Sequence, residues 1–481
     1  MKQWLLGGSH HLSPLAPPCY NTASYTFSEV GKGPRMVDEK WAAMTPEEKR
    51  RERFSWWLEP PPGVSFISEQ AERDYYARMK RLADAYLMRE PDRVPVQAPF
   101  GIMPAYWAGA DLKTVMYDYD ALHRAWTKFL HEFEMDTYAG PGMILPGRVY
   151  DLIDYRLYSW PSHGVPDDAR GFQYVEGEYM LADEYDALIH NPSDFWMRTY
   201  MPRIFGVFEP FRKLQPFTDI IELPGAYFAP FARPDLQASL QALIEVGNEY
   251  RKWAEVIGQC TREAQAAGVP SMRGVGLAKA PFDTIGDTLR GTRGIFMDMH
   301  RQPDKLLKAI DVITDITIDS LIARANAARA ATVGFPLHKG ADGFMSAKQF
   351  ETFYWPSLRR ICLALIDEGI VPSLFAEGSY MTRLGTVNEF PKGAVAWRFD
   401  RTDMLTAKRV LGDRCCISGN VPASLLSIGT AAEVKEYCRK VIEDCAPGGG
   451  YILSAGSSVD HAPPENLRAM MEAAKEYGVY P

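Results

Sequence analysis

Three side chains stand where short apolar runs end, and their types suit acid–base work. Glu377 follows Ser373–Leu374–Phe375–Ala376, His338 follows Gly334–Phe335–Pro336–Leu337, and Asp400 follows Trp397–Arg398–Phe399. A carboxylate behind an apolar run is costly to bury unless it is paired or ligates something. An imidazole and a carboxylate together can pass a proton, or can hold a divalent ion. Glu377, His338 and Asp400 are therefore the catalytic candidates, with Glu377 and His338 as the tentative metal ligands. Asp342, Asn420, Phe100, Tyr380 and Glu178 are the candidates for substrate contact. Each has a plainer reading. His338 can bond a backbone carbonyl, and Asp400 can pair with Arg398, Arg401 or a helix N-terminus. Asn420 can cap a turn, Glu178 can face solvent, and the aromatic residues can pack in a core.

These groups meet only if the elements carrying them converge. From residue 93 onward, short apolar runs alternate with helical patterns. The runs are Val94–Gly101, Asp136–Gly142, Arg273–Phe282, Val333–Gly340, Val371–Gly378, Ala394–Asp400, Cys416–Val421 and Tyr451–Ser457. Helical patterns between them include Ala347–Glu368, Met404–Leu411, Ala431–Cys445 and Pro464–Tyr477. Such alternation implies parallel strands joined by right-handed crossovers. Eight units predict an α/β fold of the (β/α)8 TIM-barrel type, with reactive groups at the C-terminal strand ends. A doubly wound open sheet is the alternative, but the early GxGxxG turn it would carry is missing.

Two segments lie outside this rhythm. Residues 1–80 are assigned to an N-terminal arm and helices, and 81–481 to the barrel. Ser13–Pro34 is rich in Pro, Gly, Ser and Thr and predicts an extended arm that wraps a partner or packs on its own barrel. Thr45–Pro46–Glu47–Glu48 marks a helix start, with a stop before Pro60–Pro61–Pro62. A second helix is expected over about Glu69–Arg89. About 130 residues separate the second and third runs, too many for a bare loop. An insertion over about 143–271 is expected there, with a hairpin strand at Gly171–Met180 and a helix at Leu236–Ala267, helping to close the barrel mouth.

Composition narrows the function. Hydrophobic residues make up 46% of the 481, enough for a large core. Lys and Arg number 53 against 61 Asp and Glu, a formal charge of −8 that argues against general nucleic-acid binding. The seven cysteines form no CxxC pair, which fits a reducing compartment. No apolar run approaches roughly 18 residues, and the first residues lack a signal-peptide pattern. A cytoplasmic protein that binds neither membrane nor nucleic acid is expected.

The C-terminal half resembles the uroporphyrinogen decarboxylase superfamily, and within it the corrinoid-dependent methyltransferase branch. The resemblance rests on Lys279–Asp311, Gly340–Pro356, Ile417–Val434 and Gly448–Gly478, with the GNV turn, a later GT before a helix, and GGYILSAG…PPEN. It covers roughly residues 80–481. It implies a methyltransferase that takes a methyl group from a small O-, N- or S-methyl substrate and passes it to a cobalamin-carrying partner protein, since this chain has no DxHxxG-type corrinoid motif. Related barrels also imply a homodimer. Two departures qualify the match. Pro95–Gly101 replaces the arginine-rich motif that holds substrate carboxylates in true decarboxylases. Phe375–Ala376–Glu377 and Ser457 replace the HxC…C zinc ligands of the coenzyme M relatives, leaving zinc or another divalent ion on Glu377 and His338 open beside a metal-free site. A decarboxylase or lyase using Glu377 and His338 on a small acid is the first alternative, and a non-catalytic ligand-binding barrel the second.

Overall fold

The structure is a computed structural model describing residues 39–97, 99–219, 225–271 and 275–481. Six strands form a parallel sheet in the order Val96–Gln97, Tyr451–Ala455, Cys416–Val421, Ala396–Phe399, Val371–Ala376 and Thr332–Leu337. Backbone bonds complete the ring. Asp136 N donates to Val96 O, Tyr138 bridges Ser271 in parallel, and Leu277 bridges Gly334 in parallel. Eight parallel segments thus follow one another around a closed barrel, and the doubly wound alternative falls. The second and third segments pair only through these bridges, so they are extended without being long strands.

Local signals set the helix ends. Thr45 and Glu48 close a reciprocal capping box on Pro46–Leu58, and Thr430 and Glu433 do the same on Ala431–Cys445. The expected helices Met404–Leu411, Ala431–Cys445 and Pro464–Tyr477 have those bounds. Along the fifth strand, half-buried Ser373 and Phe375 alternate with buried Pro372, Leu374 and Ala376. The buried set packs under the helices, while the half-buried set faces a lumen that opens at the C-terminal mouth.

A boundary at residue 80 needs correcting. The helix Glu69–Tyr86 runs straight through it. With Pro46–Leu58 it brings Phe54, Trp57, Tyr75, Leu82 and Tyr86 against Ala331, Val371, Ala396, Cys416 and Ile452, which lie at the N-terminal ends of five strands. These helices are the floor of the barrel, because their apolar faces have no other surface to cover. A buried ion network fastens them. Arg81 reaches Asp136 at 2.5 Å and Asp92 at 2.6 Å, and Asp136 also takes Arg93 at 2.8 Å. The predicted arm Ser13–Pro34 lies outside the described residues.

The insertion shares a second core with the helices that follow the first strand. Its helix Pro234–Ala266 packs Trp253, Ile257 and Cys260 against Trp126 and Tyr150. A small sheet of Tyr158–Pro161, Gly164–Val165 and Gln173–Tyr174 leans over the mouth. There the Tyr174 hydroxyl donates to the Asp287 carbonyl, and Glu176 Oε1 accepts from Thr292 N at 2.6 Å. Among the described residues no helix is long and apolar enough to cross a membrane. Six cysteines, Cys415 and Cys416 among them, are free and buried.

Candidate active site

His338 and Glu377, 39 positions apart in sequence, face each other at the mouth. His338 Nε2 lies 3.6 Å from Glu377 Oε1, with side chains 31% and 41% exposed, so both can be reached from solvent. The other ring nitrogen is taken. His338 Nδ1 lies 2.5 Å from Asp287 Oδ2. As the donor on that bond, Nδ1 leaves Nε2 directed at Glu377.

Asp287 is the hub. Its carboxylate also receives Lys339 Nζ at 2.7 Å and Lys279 Nζ at 3.1 Å. Burial would raise its pKa, but the His338 bond and the lysine charges hold it well below the usual carboxylate range. Four residues earlier, Asp283 is fully buried. It accepts His338 N at 3.0 Å, Lys339 N at 2.9 Å and the Tyr354 hydroxyl at 2.6 Å. Burial, and then the Asp287 charge, push its carboxyl up. Both aspartates come from the helical turns Pro281–Asp283 and Thr284–Leu289, directly after the third barrel segment. Gly286 lies between them, and a Cβ there would stand 2.8 Å from Lys339 Cε, so the lysine chain would have to shift.

Burial raises the Glu377 carboxyl, against opposing pulls from His338 and Arg398. Burial would lower His338, but Asp287 overcomes this and raises it. The result is an imidazole facing a carboxyl, with the ring oriented by a buried carboxylate. Such an arrangement can deliver a proton to an atom placed at the mouth.

The other candidates fare differently. Asp400 Oδ2 accepts Gly378 N at 3.2 Å, so it shapes the turn that follows Glu377. Asn420 spends its amide on the carbonyls of Asp400 and Thr402, at 3.1 and 2.8 Å, and its Oδ1 accepts from Tyr437. It is a brace between strand ends, although it borders a rim cavity of about 610 Å³ with Asp400, Pro422 and Ser457. Asp342 accepts from Ser379 and Thr382 at 2.7 and 2.6 Å and fixes that loop. Tyr380 is 1% exposed, with its hydroxyl 3.5 Å from Leu337 O. Phe100 is a core residue edge-on to Phe129 at 4.8 Å. Asn420, Asp342 and Tyr380 thus each bond partners inside the protein, and Phe100 packs in the core. Glu178 is exposed on the rim, 3.8 Å from Arg290.

A metal does not suit this donor set. His338 and Glu377 supply two ligands, the nearest further carboxylate is engaged by two ammonium groups, and among the described residues no three His, Cys, Asp or Glu side chains are arranged to hold a metal ion. Sequence reading missed Asp283, Asp287, Lys279 and Lys339. The signal was there: Asp283 directly follows the run Arg273–Phe282, and the spacing to Asp287 is four residues.

A closed parallel barrel with titratable groups gathered at its strand ends defines a (β/α)8-barrel protein with a polar mouth site. The chain belongs to the uroporphyrinogen decarboxylase (URO-D) family, whose model matches residues 230–477, just over half of its length. Among curated relatives, the uroporphyrinogen decarboxylase of Thioalkalivibrio sulfidiphilus is 31% identical over 292 residues, covering 55% of this chain and 79% of that protein. That of Psychromonas ingrahamii is 23% identical over 286 residues, covering 54% and 77%. That of Syntrophotalea carbinolica is 26% identical over 176 residues, and the match spans 36% of this chain and about half (49%) of that relative. Among solved structures, a methyltransferase from Methanosarcina mazei superposes with a TM-score of 0.51 at 15% identity, covering 83% of this chain and 98% of that one, which shows the shared fold.

Proposed function

We propose that the chain is a methyltransferase of a corrinoid-dependent system, taking a methyl group from a small O-, N- or S-methyl substrate. The observation that carries this reading is the Glu377 carboxyl, raised by burial and 3.6 Å from His338 Nε2 at the open end of the barrel. When a methyl–heteroatom bond breaks, its electron pair goes to the heteroatom, which must take a proton to leave as a neutral alcohol, amine or thiol. Glu377 is placed to give that proton, and His338, held by Asp287, to replenish it. The corrinoid of a separate partner protein supplies the electron pair that accepts the methyl carbon; no step here needs a metal on His338 and Glu377. The absence of arginine in Pro95–Gly101 supports methyl transfer over porphyrinogen decarboxylation, because a polyanionic tetrapyrrole would lose its expected partners there. The working unit is proposed to be a homodimer, which light scattering would check.

The test is spectroscopic. Protein, corrinoid partner and a panel of methyl ethers, amines and thioethers should discharge the cob(I)alamin absorbance. Glu377→Gln should slow this by about 10²-fold or more while the fold is kept. Undiminished cob(I)alamin with every substrate class would overturn the reading. One observation favours a second reading, a decarboxylase or lyase on a small acid: the same carboxyl can deliver its proton to carbon. Carbon dioxide release without methyl transfer would select it.

A further inference from the structure

Below the acid pair, two residues deeper in the lumen, a guanidinium has no ion-pair partner among the described residues. Arg398 sits on the sixth strand, in register with Phe375 on one side and Ser418 on the other. It is half-buried and alternates with buried Trp397 and Phe399, so it points inward with the half-buried residues of the neighbouring strands. Its Cζ lies 3.5 Å from the centroid of the Phe375 ring, and its Nε has no hydrogen-bond partner. Among the described residues no carboxylate forms an ion pair with it. An arginine left this way inside a barrel is costly, since its donors are planar, numerous and always charged. The charges of Glu377 and Asp400 act on it without contact, since Asp400 accepts from Gly378 N and lies 3.7 Å from Arg401. Lys279 and Lys339 are answered by Asp287. Burial lowers the Arg398 pKa to about 10, still charged at neutral pH.

We infer that Arg398 is the anchor for an anionic group of the substrate, so that the substrate is a small methylated carboxylic acid held with its carboxylate deep in the lumen and its methyl-bearing heteroatom at Glu377. The guanidinium fork matches a carboxylate with two parallel hydrogen bonds. The Phe375 ring covers one face of the cation, and Ser418 stands beside it in register. Depth separates the two ends of the substrate: Arg398 and Glu377 are two residues apart along the barrel axis on adjacent strands. The inference rests on the Glu377–His338 pair being where the reaction occurs, but binding can be read without turnover.

Calorimetry with 3-methoxybenzoate and methoxyacetate against 3-methoxybenzamide and methoxyacetamide tests it. The wild-type protein should bind the acids at least tenfold more tightly than the amides. Arg398→Met should erase that preference while leaving amide affinity unchanged, and Arg398→Lys should keep part of it. Glu377→Gln should bind the acids like the wild type. Equal affinity for acids and amides in the wild type, no binding of any acid, or a preference surviving in Arg398→Met would each overturn the inference. If Arg398→Met does not fold, the wild-type comparison and Arg398→Lys still decide. Acids that bind through Arg398 yet give no methyl transfer would sink the methyltransferase reading and leave the anion site standing.

Discussion

Asp287 illustrates how a single carboxylate can organise a site without touching substrate. It fixes the His338 ring through Nδ1 and gathers two lysines, so the exposed nitrogen always meets Glu377 the same way. Removing its charge should release His338. In Asp287→Asn, the His338 titration followed by NMR should move to lower pH, toward or below its ordinary 6.5, since burial then acts unopposed. Turnover should fall by about tenfold or more, with its pH optimum shifted the same way. A histidine titration unmoved by the substitution would show that Asp287 is only structural.

At the scale of elements, the floor helices carry a stability argument. Trp57 is fully buried among Phe54, Tyr86 and the strand starts. Trp57→Ala should cost about 3–5 kcal/mol, measured by urea unfolding, because it opens a cavity beneath five strands at once. A loss below about 1 kcal/mol would mean that the helices are an appendage after all. The insertion works at the other end. Its hydrogen bond from Tyr174 to the Asp287 carbonyl ties the small sheet to the turn that holds the site.

For the whole molecule, the buried titrating groups set how stability varies with pH. Glu377 and Asp283 have raised carboxyls, so the folded state resists their ionisation. Stability should decline as pH climbs from their ordinary values, 4.5 and 3.8, through the raised folded ones. His338 is raised too, so its contribution is complete below 6.5 and lost as pH rises through the folded value. Asp287 is depressed: its contribution is present above 3.8 and lost only as pH falls toward its folded value. The melting temperature should therefore peak on the acid side of neutrality. Glu377→Gln should flatten the decline that begins above about pH 4.5. A melting profile identical in wild type and variant across pH 4–8 would contradict the assignment.

The sequence alone determined the alternation of strand and helix, the capped helix ends and the placing of Glu377 and His338 at strand ends, because periodicity, caps and turn residues are written locally. It also exposed what Pro95–Gly101 lacks. Only the tertiary structure decided which partners these polar groups meet. Asn420, Asp342 and Tyr380 stand near strand ends in one dimension, and in the fold each bonds neighbours brought from elsewhere in the chain. Asp287 and Arg398 look ordinary, one on a helical turn and the other a plausible partner for Asp400. Closing the cylinder puts the first against His338 and leaves the second facing the lumen. The physical reason is that a side chain's chemistry depends on whether its charge and hydrogen bonds are already answered, and that depends on contacts between distant segments.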